Sequence, residues 1–485
     1  MKNIFSKTLF AASLALGLGS CDGLYDQYEP YNAVTLNTFY RTPEDFEQAI
    51  LGMYGGFRSS GYFAGSGSAG DLVATPDVMS DNLVFNTEGR QSGRRAAEFT
   101  YNSNEAPTGL YSGAYFVISR ANAIISNIDN LADGDFKNNV LGQALAVRGI
   151  CHFDVARFYA KIPTQSADAN ASLGVAYVDR FDPLQKPARL ATVQETYERI
   201  IADLEEASTL VSNTNEPFTI SQRAVKGLLS RVYLYAGNYQ LARQRAEECI
   251  ALGTTLMTRA QVAGFWQDSY TANVEELFTV RLTAQDNIQL GVNFNQLLSG
   301  EIFSEFVGDK AFVDLYTSTD IRRSVYWATS STNGLFYHHV NKYFRDAGNL
   351  RWVDGKYIRL SEVYLNLAEA AYRLGDEAAA LTAVNNIRSR RYNNFVSPNE
   401  AGQALLNAIL LQRRLELAME GDRFCTLKRL GLPLQRSGLG HLADGSGNIP
   451  SPQTVAADDY RWQLPIDQQI RNLNQNIEQN PGYTN

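Results

Sequence analysis

Two stretches of this chain repeat one helix-turn-helix pattern. Aligning Gly237 with Gly375 places Ala242 over Ala380, in segments that read LLSRVYLYAGNYQLARQRAEECI and LNLAEAAYRLGDEAAALTAVNNI. Each segment reads as a helix, a Gly-Asn or Gly-Asp turn and a second helix, with a small residue that lets the two helices approach closely. This is the pattern of tetratricopeptide-type helix pairs, and it predicts a mainly α fold.

Amphipathic patterns outside the repeats indicate the same fold class. Apolar residues recur at helical spacing in further stretches, namely Tyr111 to Ile128, Val140 to Tyr159 and Val193 to Leu210. Thr192 and Glu195 have the spacing of a capping box, and Thr42 before Pro43 predicts the start of an earlier helix. Because the repeats do not follow one another directly, we expect helical regions at about 111–252 and 357–430 that do not form a continuous solenoid.

The stretch between these helical regions, about residues 253–356, has a different character. It is rich in turn residues and in aromatic side chains, among them Tyr326, Trp327 and Phe336. Such a composition favours loops with short strands. We therefore expect an irregular, aromatic-rich insertion between the two helical regions.

The first residues read as an export signal. Lys2 and Lys7 give a positive start, and the apolar core that follows is too short for a permanent membrane helix. The sequence Leu18-Gly19-Ser20-Cys21 then resembles a bacterial lipobox, in which the chain is cut before a cysteine that carries the lipid. We expect a signal peptide at 1–20 and a lipidated tether at 21–37, followed by a domain at 38–485; the alternative is a plain secretory signal.

Charge and cysteine content argue against other classes of protein. The chain has 43 Lys+Arg against 51 Asp+Glu and no long basic run, which gives no reason to expect nucleic acid as a partner. Besides Cys21, the cysteines are Cys151, Cys249 and Cys425, an odd and scattered set without CxxC spacing. We therefore expect buried free thiols, and neither a disulfide framework nor a zinc site.

A search for catalytic motifs gives no constellation. The four histidines do not form HExxH, and the adjacent pair His338-His339 lacks the spacing of two metal ligands on one helix face. No GxSxG or P-loop motif is present, and no GxGxxG stands in the strand-turn-helix context that dinucleotide binding needs. A glycosidase pair of carboxylates leaves no signature of spacing, because its members can lie far apart in sequence. The chain is therefore predicted to be a binding protein and not an enzyme, with neither metal nor cofactor.

Several segments, in this order, resemble the SusD/RagB family over nearly all of the mature chain. They read FYRTPEDFEQAILGMYGGF, ALAVRGICHFDVARFYAKIP, TVQETYERIIADLEEAS, YIRLSEVYLNLAEAAY, RRLELAMEGDRFCTLKRLG and LPIDQQIRNLNQNIEQNPGY. The chain departs from the family pattern at Phe424, Thr426 and Asp467. The signature residues Glu416, Glu420 and Arg423 are expected to pair with one another and to serve as scaffold.

The resemblance implies a function as well as a fold. A family member would be lipid-anchored at the cell surface in the outer membrane, would capture an oligosaccharide or polysaccharide, and would deliver it to a SusC-like TonB-dependent transporter on which it acts as a hinged lid. The alternatives are peptide capture by the same fold, and a helical-repeat scaffold that binds a protein partner.

Ligand contacts in this family come from loops of the N-terminal part and of the insertion, so no single residue can be carried over. A sugar site needs aromatic platforms beside amide, carboxylate and guanidinium groups. The residues of this chain that fit are, in the N-terminal part, Asp81, Asn82, Arg90, Phe99, Tyr101 and Asn102, and, in the insertion, Tyr326 and Trp327.

Overall fold

The computed structural model describes most of the chain after the tether. The described residues are 39–59, 61–63, 70–88, 91–267, 274–286, 288, 290–292, 294, 296–298, 301–343 and 353–483. The predicted signal peptide, Cys21, the tether and Arg90 lie outside these residues.

Helices dominate the described part of the chain, as predicted. In chain order they are α1 Pro43–Gly55, α2 Thr75–Val78, α3 Arg94–Glu98, α4 Leu110–Ser126, α5 Asp135–Tyr159, α6 Val193–Leu210, α7 Gln222–Ala236, α8 Tyr239–Ala251, α9 Val262–Gln267, α10 Lys310–Val313, α11 Ile321–Tyr326, α12 Leu360–Arg373, α13 Glu377–Arg388, α14 Gly402–Glu416, α15 Arg423–Arg429 and α16 Gln468–Leu473. Single 3-10 turns lie at Gly56–Arg58, Ile128–Asn130, Ala169–Ala171, Arg259–Gln261, Ala284–Asp286 and Tyr460–Trp462.

The long helices stack side by side. Each of α4 to α8 packs on the next, α8 then packs on α12, and α12 packs on α13 and α14. The predicted turns are present, with left-handed backbone at Gly237 (φ 77°) and Gly375 (φ 83°), a conformation that glycine adopts without steric cost. Ala242 and Ala380 are fully buried at the helix crossings. The two repeats, distant in sequence, are therefore neighbours in space.

Local capping explains where the helices begin. Thr42 is the N-cap of α1, as predicted, and it forms a complete capping box with Asp45. At α6 the Thr192 hydroxyl accepts from the Glu195 amide at 3.0 Å, but the Glu195 carboxylate pairs with Arg199 at 3.0 Å. The predicted capping box of α6 is therefore only half formed.

The insertion contains loops and short antiparallel strands, as expected, together with the short helices α9, α10 and α11. In chain order the strands of the described chain are β1 Leu83–Phe85, β2 Glu276–Val280, β3 Gln296–Leu298, β4 Glu301–Phe303, β5 Phe306–Gly308, β6 Trp327–Thr332, β7 Leu335–Val340, β8 Gly355–Arg359, β9 Leu434–Gln435 and β10 Thr454–Val455. Of these, β1, β9 and β10 lie outside the insertion. Among the described strands, β1 pairs with β5, β2 with β8, β3 with β4, β6 with β7 and β9 with β10. The β2–β8 pair, with Glu276 opposite Arg359, joins the two ends of the insertion.

A cluster of buried charges ties the insertion to the second helical region. Glu416 accepts hydrogen bonds from Arg322 at 3.0 Å, from Arg359 at 3.1 Å and from Arg391 at 2.8 Å. These side chains are at most 1% exposed. Burial alone would raise the pKa of Glu416, but the three guanidinium groups outweigh it and hold that pKa well below its usual range.

The expected pairing among the signature residues is wrong in detail. Arg423 pairs with Asp81 at 2.7 Å, and Glu420 with Lys342 at 2.6 Å, so the partners come from other segments of the chain. A buried charge needs a partner within the interior, and in this fold the nearest ones are non-local. The residues do act as scaffold.

The cysteines of the described part agree with the sequence prediction. Cys151, Cys249 and Cys425 are buried free thiols. Burial raises the pKa of Cys249 to about 12 and that of Cys425 to about 11, so both stay protonated and unreactive at neutral pH.

Candidate functional site

The N-terminal segment and the insertion meet at one face of the molecule. Strand β1 pairs with β5 so that Phe85 lies opposite Phe306, with ring centroids 5.4 Å apart. The Asn86 amide extends this contact by donating to the Glu305 carbonyl oxygen at 2.8 Å. The two regions from which the resemblance draws ligand contacts are therefore adjacent in this structure.

An open groove lies beside this junction. It has a volume of about 540 Å³ and is lined mainly by small and polar residues, namely Asp71, Gln91, Gly93, Arg94, Arg95, Ala96, Glu105, Ala106, Pro107, Thr108, Gly109 and Asp467. Helix α3 forms one wall, bounded by left-handed residues at Gly93 (φ 72°) and Phe99 (φ 54°). We call it the polar groove.

Paired charges line the polar groove. Arg94 contacts Glu98 at 2.8 Å, and Arg95 forms an ion pair with Glu105 across the opening. The side chains of Arg95 and Glu105 are 54% and 44% exposed, so each keeps hydrogen-bonding capacity toward a ligand. Since both signs are present side by side, the groove suits a ligand that donates and accepts hydrogen bonds.

Asp71 is a buried carboxyl group in the lining of the polar groove. Its carboxylate accepts a hydrogen bond from the Gly109 amide at 2.8 Å, and it is only 5% exposed. Burial raises the pKa of Asp71 to about 6, although the Gly109 amide opposes that shift. A carboxyl group with a raised pKa in a cleft marks a candidate functional position.

Two of the predicted site residues lie beneath the groove wall. The Tyr101 hydroxyl donates to the Arg461 carbonyl oxygen at 2.7 Å, and the Phe99 carbonyl oxygen accepts from the Arg461 guanidinium at 3.0 Å. Phe99 is 2% exposed and Tyr101 is 4% exposed. Both side chains pack on the buried side of helix α3. Their role as ligand contacts stays a prediction, and their small exposed fraction speaks against it.

Among the predicted site residues that the structure describes, Asn102 is the exposed one. Its side-chain oxygen accepts from the Asn104 amide at 2.9 Å, and its backbone bridges to Glu105. Asn102 therefore shapes the turn that presents Glu105 to the polar groove.

Asp81 and Asn82 connect the N-terminal segment to the signature helices. Asp81 pairs with Arg423 at 2.7 Å and with Arg414 at 3.2 Å, while the Asn82 side-chain oxygen accepts from Arg414 at 2.8 Å. Burial would raise the pKa of Asp81, but the two guanidinium groups outweigh it and lower that pKa. Both residues are occupied as scaffold, so a ligand role for them also stays a prediction.

The two predicted aromatic residues of the insertion are in the core. Tyr326 is fully buried, and its hydroxyl donates to the Glu416 carbonyl oxygen at 3.3 Å. Trp327 is 4% exposed, and its ring meets that of Phe312 edge-on at 5.8 Å. Neither ring has a free face for stacking on a sugar, and their assigned ligand role remains a prediction.

Phe336 is an exposed aromatic residue that the sequence reasoning did not select. It lies on β7 just after a hairpin turn and is 59% exposed. The turn residues Asn333 and Gly334 have φ of 52° and 82°, the left-handed pair of a tight hairpin. An Asn-Gly pair between two β-prone runs is the signal that could have located this hairpin.

The hairpin is fastened beside the N-terminal segment. The Ala443 amide donates to the Phe336 carbonyl oxygen at 2.8 Å, and the Tyr337 hydroxyl donates to Glu88 at 3.0 Å. A smaller depression of mixed polar and apolar lining lies at the other end of α3, lined by Leu83, Phe85, Thr87, Ala97, Glu98, Arg436, Asn448, Ile449, Pro450 and Ser451. Helix α3 therefore borders both the polar groove and this depression.

The described part of the chain contains neither a cluster for metal binding nor a helix that could span a membrane. Its His, Cys, Asp and Glu side chains form no group of three that could hold a metal ion. None of its helices is both long and apolar enough to cross a membrane.

The stacked helix pairs, the mixed insertion and the groove in the N-terminal part define a class of helical protein. Residues 322–483 match the profile of the SusD family, and residues 35–234 match a profile described as starch-binding, associating with outer membrane. The chain belongs to the SusD/RagB family.

Relatives cover nearly the whole chain. SusD-like protein P2 of Formosa agariphila is 27% identical, over 97% of this chain and 98% of its own length. A Bacteroides vulgatus structure described as a candidate sugar-binding protein is 30% identical over 91% of this chain and 98% of its own, with a TM-score of 0.79. A SusD superfamily protein of the same species is 25% identical over 92% of this chain and 100% of its own, with a TM-score of 0.79.

Proposed function

We propose that this protein captures an oligosaccharide or polysaccharide at the cell surface and delivers it to a SusC-like TonB-dependent transporter, on which it acts as a lid. The observation that carries the proposal is the polar groove of about 540 Å³, which is lined by residues of the N-terminal part and by Asp467. It lies beside the junction of the N-terminal segment and the insertion, where Gly93 approaches the Phe306 ring. In a chain of this family, that junction is where the resemblance leads us to expect ligand.

The groove matches the chemistry of a sugar. Sugar hydroxyls both donate and accept, so the exposed Arg95 and Glu105 can each bind one without a charged partner in the ligand. The exposed ring of Phe336 and the side chain of Ile449, also 59% exposed, offer apolar surface for C–H faces near the same junction. The alternatives of peptide capture and of a protein scaffold have no comparable support.

We propose binding without catalysis. A glycoside hydrolase needs two carboxyl groups beside the scissile bond. The acids that line the polar groove are Asp71, which accepts from the Gly109 amide at 2.8 Å, Glu105, which pairs with Arg95, and Asp467. Hydrolysis of any glycan that binds should therefore be assayed by release of reducing ends, with none expected.

Membrane attachment and transport follow from the resemblance. A lipid on Cys21 would hold the protein at the outer membrane and leave the folded part free to hinge. Closure of the lid requires that the ligand binds the closed state more tightly than the open one, so ligand affinity and hinge position are coupled. The profile that describes association with the outer membrane supports this location.

The first experiment measures binding of the chain that starts after Cys21 to polysaccharides and peptides, by affinity electrophoresis and calorimetry. Arg95→Ala should weaken binding of one glycan about tenfold or more, because a charge-assisted hydrogen bond contributes about 1.5–3 kcal/mol. Arg243→Ala is the matched control, since Arg243 also pairs with a glutamate on a helix surface, at 2.8 Å, but lies away from the groove.

The outcomes separate glycan capture in the polar groove from peptide capture and from a composite site. Retardation by one glycan, lost in Arg95→Ala and kept in Arg243→Ala, supports glycan capture in the polar groove. Binding of peptides alone would replace the proposal with peptide capture. Binding of no ligand by the isolated protein would count against the polar groove as a complete site and would favour a composite site that needs the transporter.

A further inference from the structure

A second cavity lies on the other side of the start of helix α4. It has a volume of about 380 Å³ and lies between α4, the loop at 176–187 and the C-terminal segment that begins with α16. Its walls carry the rings of Tyr111, Tyr115 and Phe181 and the aliphatic side chains of Ile470 and Ile477. We call it the aromatic cavity.

Two buried polar atoms of the aromatic cavity have no hydrogen-bond partner among the described residues. They are the hydroxyl of Tyr111 and the side-chain oxygen of Gln185. The neighbouring Tyr115 hydroxyl donates instead to the Ala176 carbonyl oxygen at 2.5 Å. The Tyr115 hydroxyl lies close enough to Tyr111 to lower the pKa of Tyr111, although no hydrogen bond of normal geometry joins them. Because unsatisfied buried groups are costly, a ligand that pairs with Tyr111 and Gln185 gains free energy.

The protonation of Tyr111 fixes what its hydroxyl can do. Burial raises the pKa of Tyr111 to about 12, so at neutral pH the hydroxyl keeps its proton. It can then donate as well as accept, whereas the Gln185 oxygen only accepts. A ligand that satisfies both must carry at least one donor and one further polar atom.

The walls of the aromatic cavity are held in place by the protein. The Asn474 side chain donates to the Pro187 carbonyl oxygen at 2.9 Å, and the Asn476 side chain donates to that of Lys186 at 2.7 Å. The turn before Gln185 is closed by its amide, which donates to the Asp182 carbonyl oxygen at 3.1 Å. The cavity is therefore preformed, which lowers the entropy that a ligand loses on binding.

The charged residues that line the aromatic cavity and the exposed leucines beside it indicate which class of ligand it can bind. Arg180 and Asp182 both line it, so it carries no net charge that would select an ion. Leu184 and Leu473, each next in sequence to lining residues, are 88% and 77% exposed. Exposed apolar side chains beside a cavity of this size indicate a contact surface for an uncharged molecule with an apolar face.

We propose that the aromatic cavity is a second binding site, for a neutral saccharide of one or two rings. The rings of Tyr115 and Phe181 face the C–H surface of the sugar, while its hydroxyls satisfy Tyr111 and Gln185. This site goes beyond the proposed function, because its residues are distinct from those of the polar groove.

The position of the cavity lets both sites serve one glycan chain. Tyr111 lines the aromatic cavity and packs edge-on against Tyr159 at 5.1 Å. Burial is the main reason why the pKa of Tyr159 is raised, and the charges of Asp71 and Asp467 add to that rise. These two carboxyl groups line the polar groove, so the groove lies close to Tyr159. The two sites are thus separated by little more than the start of α4.

The test measures binding of free neutral mono- and disaccharides to the purified chain by calorimetry and saturation-transfer NMR. Tyr111→Phe removes the hydroxyl and keeps the ring, and Gln185→Leu removes the acceptor. Each should weaken binding about threefold to tenfold, the loss of one neutral hydrogen bond, and the double variant should lose it. Tyr233→Phe and Gln194→Leu are matched controls, because their side chains pair with Glu205 and Glu198 away from the cavity.

The variant Arg95→Ala distinguishes binding in the aromatic cavity from binding in the polar groove. If a small sugar binds to Arg95→Ala as to the native chain and fails to bind to the double variant, the second site is supported even where the groove binds no glycan. Equal binding by the native chain and the double variant, binding of peptides alone, or binding of no small sugar would each overturn it.

Discussion

Arg359 and Glu416 meet in the dry interior, where a guanidinium nitrogen of Arg359 lies 3.1 Å from a carboxylate oxygen of Glu416. Arg359 ends β8 and directly precedes α12, whereas Glu416 ends α14. The contact therefore fixes the point where the chain leaves the insertion and re-enters the helix stack.

Glu416→Gln should destabilise the fold strongly. It removes the negative charge that three buried arginines share, and breaking a buried ion pair on one side costs about 3–5 kcal/mol. Urea unfolding followed by circular dichroism measures the loss. Glu195→Gln, at an exposed pair with Arg199, is the matched control and should cost less than about 1 kcal/mol. Equal effects of the two variants would contradict the structural role of the cluster.

His152 should make stability fall in acid. Its Nδ1 donates to the Arg148 carbonyl oxygen at 3.0 Å and its Nε2 accepts from the Val178 amide at 3.0 Å, which defines the neutral tautomer. Burial lowers its pKa to about 3, against an ordinary value of 6.5. Between these values the unfolded chain binds the extra proton, so the free energy of unfolding falls as pH falls, by up to about 1.4 kcal/mol per pH unit.

Comparing the free energy of unfolding of the native chain with that of His152→Gln at several pH values measures the contribution of His152. The variant should be less stable than the native chain at pH 7, because the Val178 amide loses the His152 Nε2 atom that accepts its hydrogen bond. The gap should narrow as pH falls from about 6.5 towards 3, since only the native chain carries this proton-linked penalty. Carboxyl groups such as Asp71 titrate in both proteins and cancel. A gap that stays constant over this range would refute the assignment.

Trp327→Ala and Phe336→Ala should separate stability from binding. Trp327 is 4% exposed, so its truncation should cost about 3–5 kcal/mol, as for other large core aromatics. Phe336 is 59% exposed, and its truncation should leave the melting temperature nearly unchanged while it weakens glycan binding. Thermal melts and calorimetry on both variants give the comparison. Loss of binding only in Trp327→Ala, with a normal melt, would restore Trp327 as a ligand contact.

Cys21→Ala should abolish lipid attachment. Labelling of cells with an alkyne analogue of palmitate should mark the native chain and leave the variant unlabelled, with the variant released from the membrane fraction. Cys151→Ala is the control, because Cys151 is a buried thiol and should not be lipidated. Retained label in Cys21→Ala would show that the lipobox assignment is wrong.

The helix pairs can be predicted because their signals are local. Gly237 and Gly375 end helices through their own backbone freedom, and the neighbouring periodicity needs no knowledge of distant residues. The predicted span Val193 to Leu210 is also the observed span of α6. Contacts such as that of Arg322 with Glu416 join residues 94 positions apart, and no local pattern encodes them.

The candidate site can be predicted only to the level of segments. Tyr326 and Phe336 are aromatic residues of the same insertion, yet one is fully buried and the other is 59% exposed. Which ring faces solvent depends on how the β6–β7 hairpin packs on the rest of the chain, and this is a tertiary property. The pairing of Arg95 with Glu105 depends likewise on the turn at Asn102.

The pairing of β2 with β8 brings the two ends of the insertion side by side. The entropic cost of closing such a loop grows only with the logarithm of its length, so residues can be added or removed between these strands at small cost to the helix stack. The stack and the insertion can therefore change at different rates during evolution. This freedom ends at Arg322 and Lys342, which belong to the insertion and pair with Glu416 and Glu420, so these two positions are expected to change only together with their partners.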